Sequence, residues 1–481
     1  MTGRRLTVEI AHEFLEEPQA VDTSYFSQID DAAAKAFRYH EGVLNLDGLR
    51  RLSERSMRDV AYFGGDLSLC GLKTISASDA RRLAKHKKHL HLDGLKSLSV
   101  EAAGELAKHR GEVLSLSGLR RISPDVARKL SRHQGHLYVN GLASLSERAA
   151  KELSKHRYAL HLDGLASLPC KQARQLAAGS SLSLGGVANI SDEAAAALGR
   201  HADWLSLDGL SEITASEAEG LANHSGGSLS LGLVRLSAAA AGALAEHKGD
   251  LHLSELRSIS GPAARALAKH HGSLSLRGLR RLSDDAADAL RAHRYDLGLH
   301  NVTRLSDFAV NSLASRRGNF GKETMLWLGV RELSDAAAES LVQHRGALIF
   351  ERLRTLSAAA AKALAKHDFL SLDGLTSLPE AAARALSKQA GGRACHLSLN
   401  GLKSLAPGSA RALGKQGGIL NLDGLTALSA TAAEGLVKHE GSVSLRGLKT
   451  VPDEVATKLA TARIVVTGSV RTQVDEHRSS Y

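Results

Sequence analysis

Aromatic residues make up only 4% of this chain of 481 residues, which holds three cysteines and two tryptophans. Each scarcity removes a class of explanation. Cys70, Cys170 and Cys395 stand far apart in unlike contexts, so neither a disulfide framework nor a metal-spaced pair is visible, a usage that fits a reducing cytoplasm. No run of 18 apolar residues occurs, which predicts no transmembrane helix and no membrane partner. The opening Met1-Thr2-Gly3-Arg4-Arg5-Leu6 leads into Glu9, His12, Glu13, Glu16 and Glu17 instead of an apolar signal-peptide segment, so secretion by that route is not expected. Catalytic signatures are missing too: no G-x-S-x-G, no P-loop, no cysteine with a persuasive partner. The expectation is a protein that is not an enzyme and carries no cofactor and no metal.

What the chain has is one phrase said about eighteen times: L-x-L-x-G-L-x-x-L-S-x-x-A-A-x-x-L-A-K-H-x-G. Its first leucine falls at 44, 67, 90, 114, 137, 160, 182, 205, 229, 251, 274 and 297, mostly 22 to 24 residues apart. A fixed period of this length means a solenoid, in which each unit buries its apolar side only by stacking on its neighbours. Function is then to be sought on a surface, not in a pocket.

Within the phrase, L-x-L reads as a short strand, because alternate side chains share a face of the pleat. Ser or Thr then takes a helix-capping position in 14 units: Ser53, Ser76, Ser99, Ser123, Ser146, Ser191, Thr214, Ser237, Ser260, Ser283, Ser306, Ser334, Ser357 and Ser429. Acidic residues often follow, as in Asp192-Glu193, Asp284-Asp285 and Asp335, where they suit the positive end of a helix. Apolar positions four, seven and eight beyond the cap fit one face of a helix of about nine residues. Glycine two residues past the histidine (Gly111, Gly135, Gly249, Gly272, Gly346, Gly441) predicts a helix stop.

The phrase resembles the leucine-rich repeat superfamily over about residues 21–467, and is most similar to the cysteine-containing subtype, L-x-L-x-x-C-x-x-I-T-D-x-x-L-x-x-L-A. Leu49, Leu95 and Leu279 stand in the cysteine place, Leu98 or Ile190 in the isoleucine place, and Ser191-Asp192 in the Thr-Asp place. The resemblance implies an α/β leucine-rich-repeat solenoid, a curved horseshoe with a parallel sheet on the concave face and short helices on the convex face. It is nearly silent on function. No F-box-like segment accompanies the repeats.

Three segments are expected: residues 1–43, an N-terminal cap with a degenerate first repeat; 44–462, the solenoid; and 463–481, a closing strand and a polar tail, read as disordered from Arg471. Two units are longer than the rest, with extra residues at 316–324 and 390–395, a usual neighbourhood for binding surfaces.

The residue between the two strand leucines faces the concave side and is mostly Ser, Asn or His. One place departs from this. Trp327 and Ile349 are consecutive there, and Met325, Ala347 and Phe369 precede the strand leucines beside them. Five apolar side chains on neighbouring strands predict an exposed patch for a macromolecular partner. Cover by the 316–324 insertion is the competing reading. Trp204, Tyr138 and His161 make a weaker second candidate.

The net charge is +11, and the two residues after each G-L are basic at 15 of 36 positions, against 62 of 481 overall. Arg50, Arg51, Lys73, Lys96, Arg120, Arg121, Arg257, Arg280 and Arg281 belong to this stripe, an anion-binding candidate for an acidic macromolecule or nucleic acid. Aromatic residues do not alternate with the basic ones, so base stacking is poorly provided. A solvated face, partly paired with first-turn acids, is the plainer reading. Thirteen of 23 histidines share one repeat position, from His40 and His86 to His439. Bonding to last-turn carbonyls is the structural reading of this column; metal binding and pH sensing are the alternatives. The Asp-Gly pairs at Asp47, Asp93, Asp163, Asp208, Asp373 and Asp423 read as turns before they read as a calcium row. The leading expectation is a non-enzymatic protein-interaction scaffold with an unknown protein partner. The alternatives are an electrostatic binder of nucleic acid or another polyanion, and a passive structural repeat protein.

Overall fold

A computed structural model describes residues 4–318, 324–389, 395–462 and 464–478. The unit around Leu90 shows why the phrase folds as it does. Leu90 and Leu92 bracket His91 on a strand, so both leucines point inward and both are fully buried. Asp93-Gly94 turns the chain, and Leu95 closes the turn with a bond from its N–H to the Leu92 carbonyl, 3.1 Å. Gly94 is required there by space, because a Cβ would stand 1.8 Å from the Cys70 carbonyl oxygen of the preceding turn.

Ser99 then caps the helix Val100–Leu106, which buries Ala102, Ala103 and Leu106. All fourteen Ser or Thr caps accept a bond from the N–H three residues on. Most helices span seven residues, shorter than the nine the pattern predicts. The last residues tighten instead into i to i+3 bonds, such as Lys108 N–H to Glu105 and His109 N–H to Leu106.

The glycine beyond the histidine is not a left-handed helix stop. Of Gly111, Gly135, Gly249, Gly346 and Gly441, only Gly346 has a positive φ, 139°. Space decides the others: a Cβ on Gly111 would meet the Lys88 carbonyl oxygen at 2.0 Å and the His109 ring at 2.6 Å.

The chain divides into two compact units, Met1–Leu233 with His247–Gly249, and Val234–Glu246 with Asp250–Tyr481. In the first, parallel strands run in sequence order with their leucines in register: Leu44, Leu67, Leu90, Leu114, Leu137, Leu160, Leu182, Leu205 and Leu229. The helix Val8–Glu16 and a separate strand pair, Arg5–Leu6 with Gln28–Ile29, precede them, and Phe14 packs edge-on against Phe37 at 5.8 Å.

In the second unit parallel strands again run in sequence order, with Leu251, Leu274, Leu297, Leu326, Leu348, Leu370, Leu397, Leu420, Val443 and Ile464 in register. The polar segment expected to be a disordered tail is instead the helix Gly468–Arg478, because Val470 and Val474, one turn apart, give it an apolar edge that is fully buried. Of the two insertions, residues 319–323 and 390–394 lie outside the described residues.

Candidate functional site

The small polar groups of the strand face are spent on holding repeats together. Asp47 accepts from the Ser68 hydroxyl at 2.6 Å and from the Cys70 N–H at 2.7 Å, both one repeat on. Asp93, Asp163, Asp373 and Asp423 each make the same pair of bonds, to Ser115 and Ser117, Ser183 and Gly185, Ser398 and Asn400, and Ser444 and Arg446. The Asp-Gly row is therefore a ladder of inter-repeat bonds, a coupling its turn chemistry alone does not announce.

In the second unit this pattern gives way to an apolar one. Met325 is 41% exposed, while Trp327, Ile349 and Phe369 are half-buried. Ala347, expected to be exposed among them, is only 7% exposed: its methyl is shorter than the Met325 and Phe369 side chains at the equivalent positions of the flanking repeats. The patch reaches further than the sequence suggested. His300 stacks on Trp327 at 5.7 Å, with 24° between the rings. Gly298, the strand partner of Trp327, makes room for this, since a Cβ there would lie 2.7 Å from the His300 ring. On the other flank Phe369, His396 and Ile419 are strand partners; Phe369 meets the His396 ring edge-on at 4.4 Å, and Ile419 is 48% exposed. Asn421 donates to His396 Nε2 at 2.9 Å, and burial holds the imidazoles of His300 and His396 below their usual pKa, which keeps the patch uncharged. His396, on a strand, and His300, in the turn just after one, carried the signal as aromatic-like residues, but only the stacking of neighbouring repeats brings them to Phe369 and Trp327.

In the first unit Tyr138 and His161 stack face to face at 3.9 Å and 3°, with Trp204 tilted against His161 at 6.3 Å. This second cluster is smaller and has no apolar neighbour of the size of Ile349 or Phe369 on the adjoining strands, where Ser115 and Ser183 stand.

The basic stripe is exposed at every expected position, Arg50, Arg51, Lys73, Lys96, Arg120, Arg121, Arg257, Arg280 and Arg281. Its expected pairing with first-turn acids does not occur among the described residues. Those acids are engaged elsewhere: Asp31, Asp284, Asp307 and Asp335 accept from the cap hydroxyls of the next repeat, Ser53, Ser306, Ser334 and Ser357.

The histidine column is buried, apart from His40, which is exposed beside Tyr39, a residue with positive φ. Neighbouring rings lie 5.3 to 6.4 Å apart, mostly parallel, as in His86, His109, His133 and His156. Several donate to carbonyls of the preceding repeat, such as His247 to His224 at 3.0 Å and His201 to Ala177 at 3.3 Å. Burial lowers His109 and His293 to about 3, and His133, His224 and His344 to about 4, with neighbouring cations-to-be reinforcing it. Those five imidazoles are thus neutral at pH 7, and the members that reach a carbonyl act as donors, not as charges on a helix dipole. Both ring nitrogens of His86, His109 and His133 are buried without a hydrogen-bond partner among the described residues. Gln389 and Gln416 fill the same slot, Gln389 donating to the His367 carbonyl at 2.6 Å and Gln416 to Gln389 at 2.6 Å. Among the described residues no group of three or more His, Cys, Asp or Glu is placed to hold a metal ion.

Stacked strand, turn and capped helix, with leucines in register along a parallel sheet, make each unit an α/β leucine-rich-repeat solenoid. No family model matches the chain, and no curated protein matches it. Among solved structures it is similar to a leucine-rich-repeat protein of Leptospira interrogans, at 18% identity over 89% of this chain and 97% of that one, with a TM-score of 0.35. It is also similar to an internalin from Listeria monocytogenes (15% identity, 70% and 88% covered, TM-score 0.35) and to the Rad7 and Elc1 complex in yeast (14%, 87% and 94%, 0.36).

Proposed function

We propose that this chain is a non-enzymatic, cytoplasmic protein-interaction scaffold whose protein partner docks on the strand face around Trp327, on the side read from the sequence as concave. The observation that carries this reading is the run of Met325, Trp327, Ile349, Phe369 and Ile419, from four of five neighbouring strands with His396 on the fifth, on a face where other repeats tie serine to aspartate. Tryptophan and other aromatics are the usual anchors of interfaces, and an uncharged, half-buried patch gives up little hydration when covered. Three free cysteines agree with the cytoplasmic assignment, and no helix among the described residues is long and apolar enough to cross a membrane. The repeats are a leucine-for-cysteine variant of the cysteine-containing subtype in this reading.

Affinity capture from native lysate, followed by mass spectrometry, compares the wild-type chain with Trp327→Ala plus Ile349→Ala. Loss of one or more partners from the double variant, with circular dichroism unchanged, is the expected result. Equal recovery of every partner removes this surface from the proposal.

A further inference from the structure

The second unit carries a groove of about 830 Å³ on the turn side of its repeats, lined by Arg280, Arg281, Arg304, Arg331 and Arg354. These five guanidiniums come from four successive repeats, are all exposed, and make no ion pair among the described residues. The fold does not demand them: the first of the two repeat positions holds Ala143, Ala166 and Thr376 elsewhere, and the second Ser144, Ser167 and Ser377. Two carboxylates reach the groove wall. Asp307, which accepts from the Ser334 hydroxyl at 2.6 Å, and Glu332 stand against five cations, so the groove keeps an excess of positive charge.

From this arrangement we propose that the groove is a binding site for an extended, Asp- or Glu-rich peptide segment of a protein partner. It is separate from the Trp327 surface and does not depend on it. Arginine presents a planar fork that fits a carboxylate through two parallel bonds, which lysine does not. Repeats succeed one another at roughly 5 Å on the strand side and 8–10 Å on the helix side. Alternate residues of an extended peptide lie about 6.6–6.8 Å apart, so acids at every second position meet arginines of successive repeats. The intervening peptide side chains face Leu305 and Leu333, half-buried between the arginines. No aromatic side chain lines the groove, so a single-stranded nucleic acid finds nothing on which to stack its bases.

The test is fluorescence anisotropy on the full chain at low salt, with a fluorescein-labelled oligoglutamate peptide and an oligothymidylate of equal charge as probes. Oligoglutamate is expected to bind, and Arg304→Glu plus Arg331→Glu to weaken it about tenfold or more. Arg120→Glu plus Arg121→Glu, an equal change of net charge in the first unit, is expected to change it less than about twofold. Trp327→Ala plus Ile349→Ala is expected to leave it unchanged, which separates this site from the strand-face surface. Absence of oligoglutamate binding overturns the proposal, as does equal weakening by both charge reversals. Tighter binding of oligothymidylate, lost with the Arg304 and Arg331 reversal, replaces the peptide with nucleic acid and also overturns it.

Discussion

Arg316 occupies the slot of a column imidazole and bonds to the member before it, its Nε donating to the carbonyl of His293 at 3.2 Å. A second nitrogen donates to the Tyr295 carbonyl, and the whole side chain is only 3% exposed. Burial lowers its pKa to about 10, so it stays charged, and that charge helps to press His293 and His344 down. Removing it strands two carbonyls in the interior. Arg316→Ala is expected to destabilise the chain by about 3 kcal/mol. Arg316→His, which restores the slot's commonest occupant, is expected to lose less than about half of that. Midpoints of urea denaturation decide it, and equal loss from both variants contradicts the account.

The column makes stability depend on pH in one direction. A base whose folded pKa lies below its unfolded value binds fewer protons when folded. Its contribution is complete above about pH 6.5 and is lost as pH falls toward the folded values of about 3 and about 4. Each such imidazole then removes about 1.4 kcal/mol per pH unit. The melting temperature should fall steeply as pH drops from about 6.5 toward about 4, and His133→Gln, a residue the slot already accepts at Gln389, should flatten that fall. A level profile over this range is incompatible with a buried neutral column.

The aspartate ladder predicts a graded series at one position. Asp373 accepts from the Ser398 hydroxyl and the Asn400 N–H, 2.6 and 2.7 Å away. Asp373→Ala is expected to cost about 1–3 kcal/mol by leaving those donors unmet. Asp373→Asn should be milder, since Asn140 and Asn400 hold the same turn position and accept from the N–H of Asp163 and Asp423. Calcium should not shift the melting temperature of the wild-type chain, because these carboxylate oxygens already serve protein donors. A clear upward shift with millimolar calcium would falsify the structural reading of the row.

The stack of His300 on Trp327 is open to spectroscopy. In a Trp204→Phe background, Trp327 emission should be quenched by acrylamide, as its half-exposed position requires. Gly298→Ala places a methyl 2.7 Å from the His300 ring and is expected to displace it, shifting that emission and its quenching. A tryptophan that acrylamide cannot reach would leave the strand-face surface without its anchor.

Much of the fold was legible because its signals are local and recur. A hydroxyl set just ahead of a helical apolar pattern caps the helix through the amide three residues on, so all fourteen caps could be named from Ser53 to Ser429. The candidate patch was legible in part: Trp327, Ile349, Met325 and Phe369 stand out from a serine-rich column, while Ala347 was placed by pattern and buried by its larger neighbours. His300, His396 and Ile419 escaped notice because each looks ordinary within its own repeat. They join the patch only when the stacking of repeats sets His300 beside Trp327 and strand pairing sets His396 between Phe369 and Ile419.

The amino-acid sequence by itself determined the repeat, its strand, cap and helix, and the leucines that must be inside, because those depend on side-chain order along a few neighbouring residues. Tertiary structure decided what lies between repeats. Carboxylates of one turn serve hydroxyls of the next, glycine is needed where a carbonyl or imidazole stands within 3 Å, and the histidines lose their charge once stacked and shut away from water. Those outcomes follow from distances across 20 to 25 residues of chain, which composition and spacing do not contain.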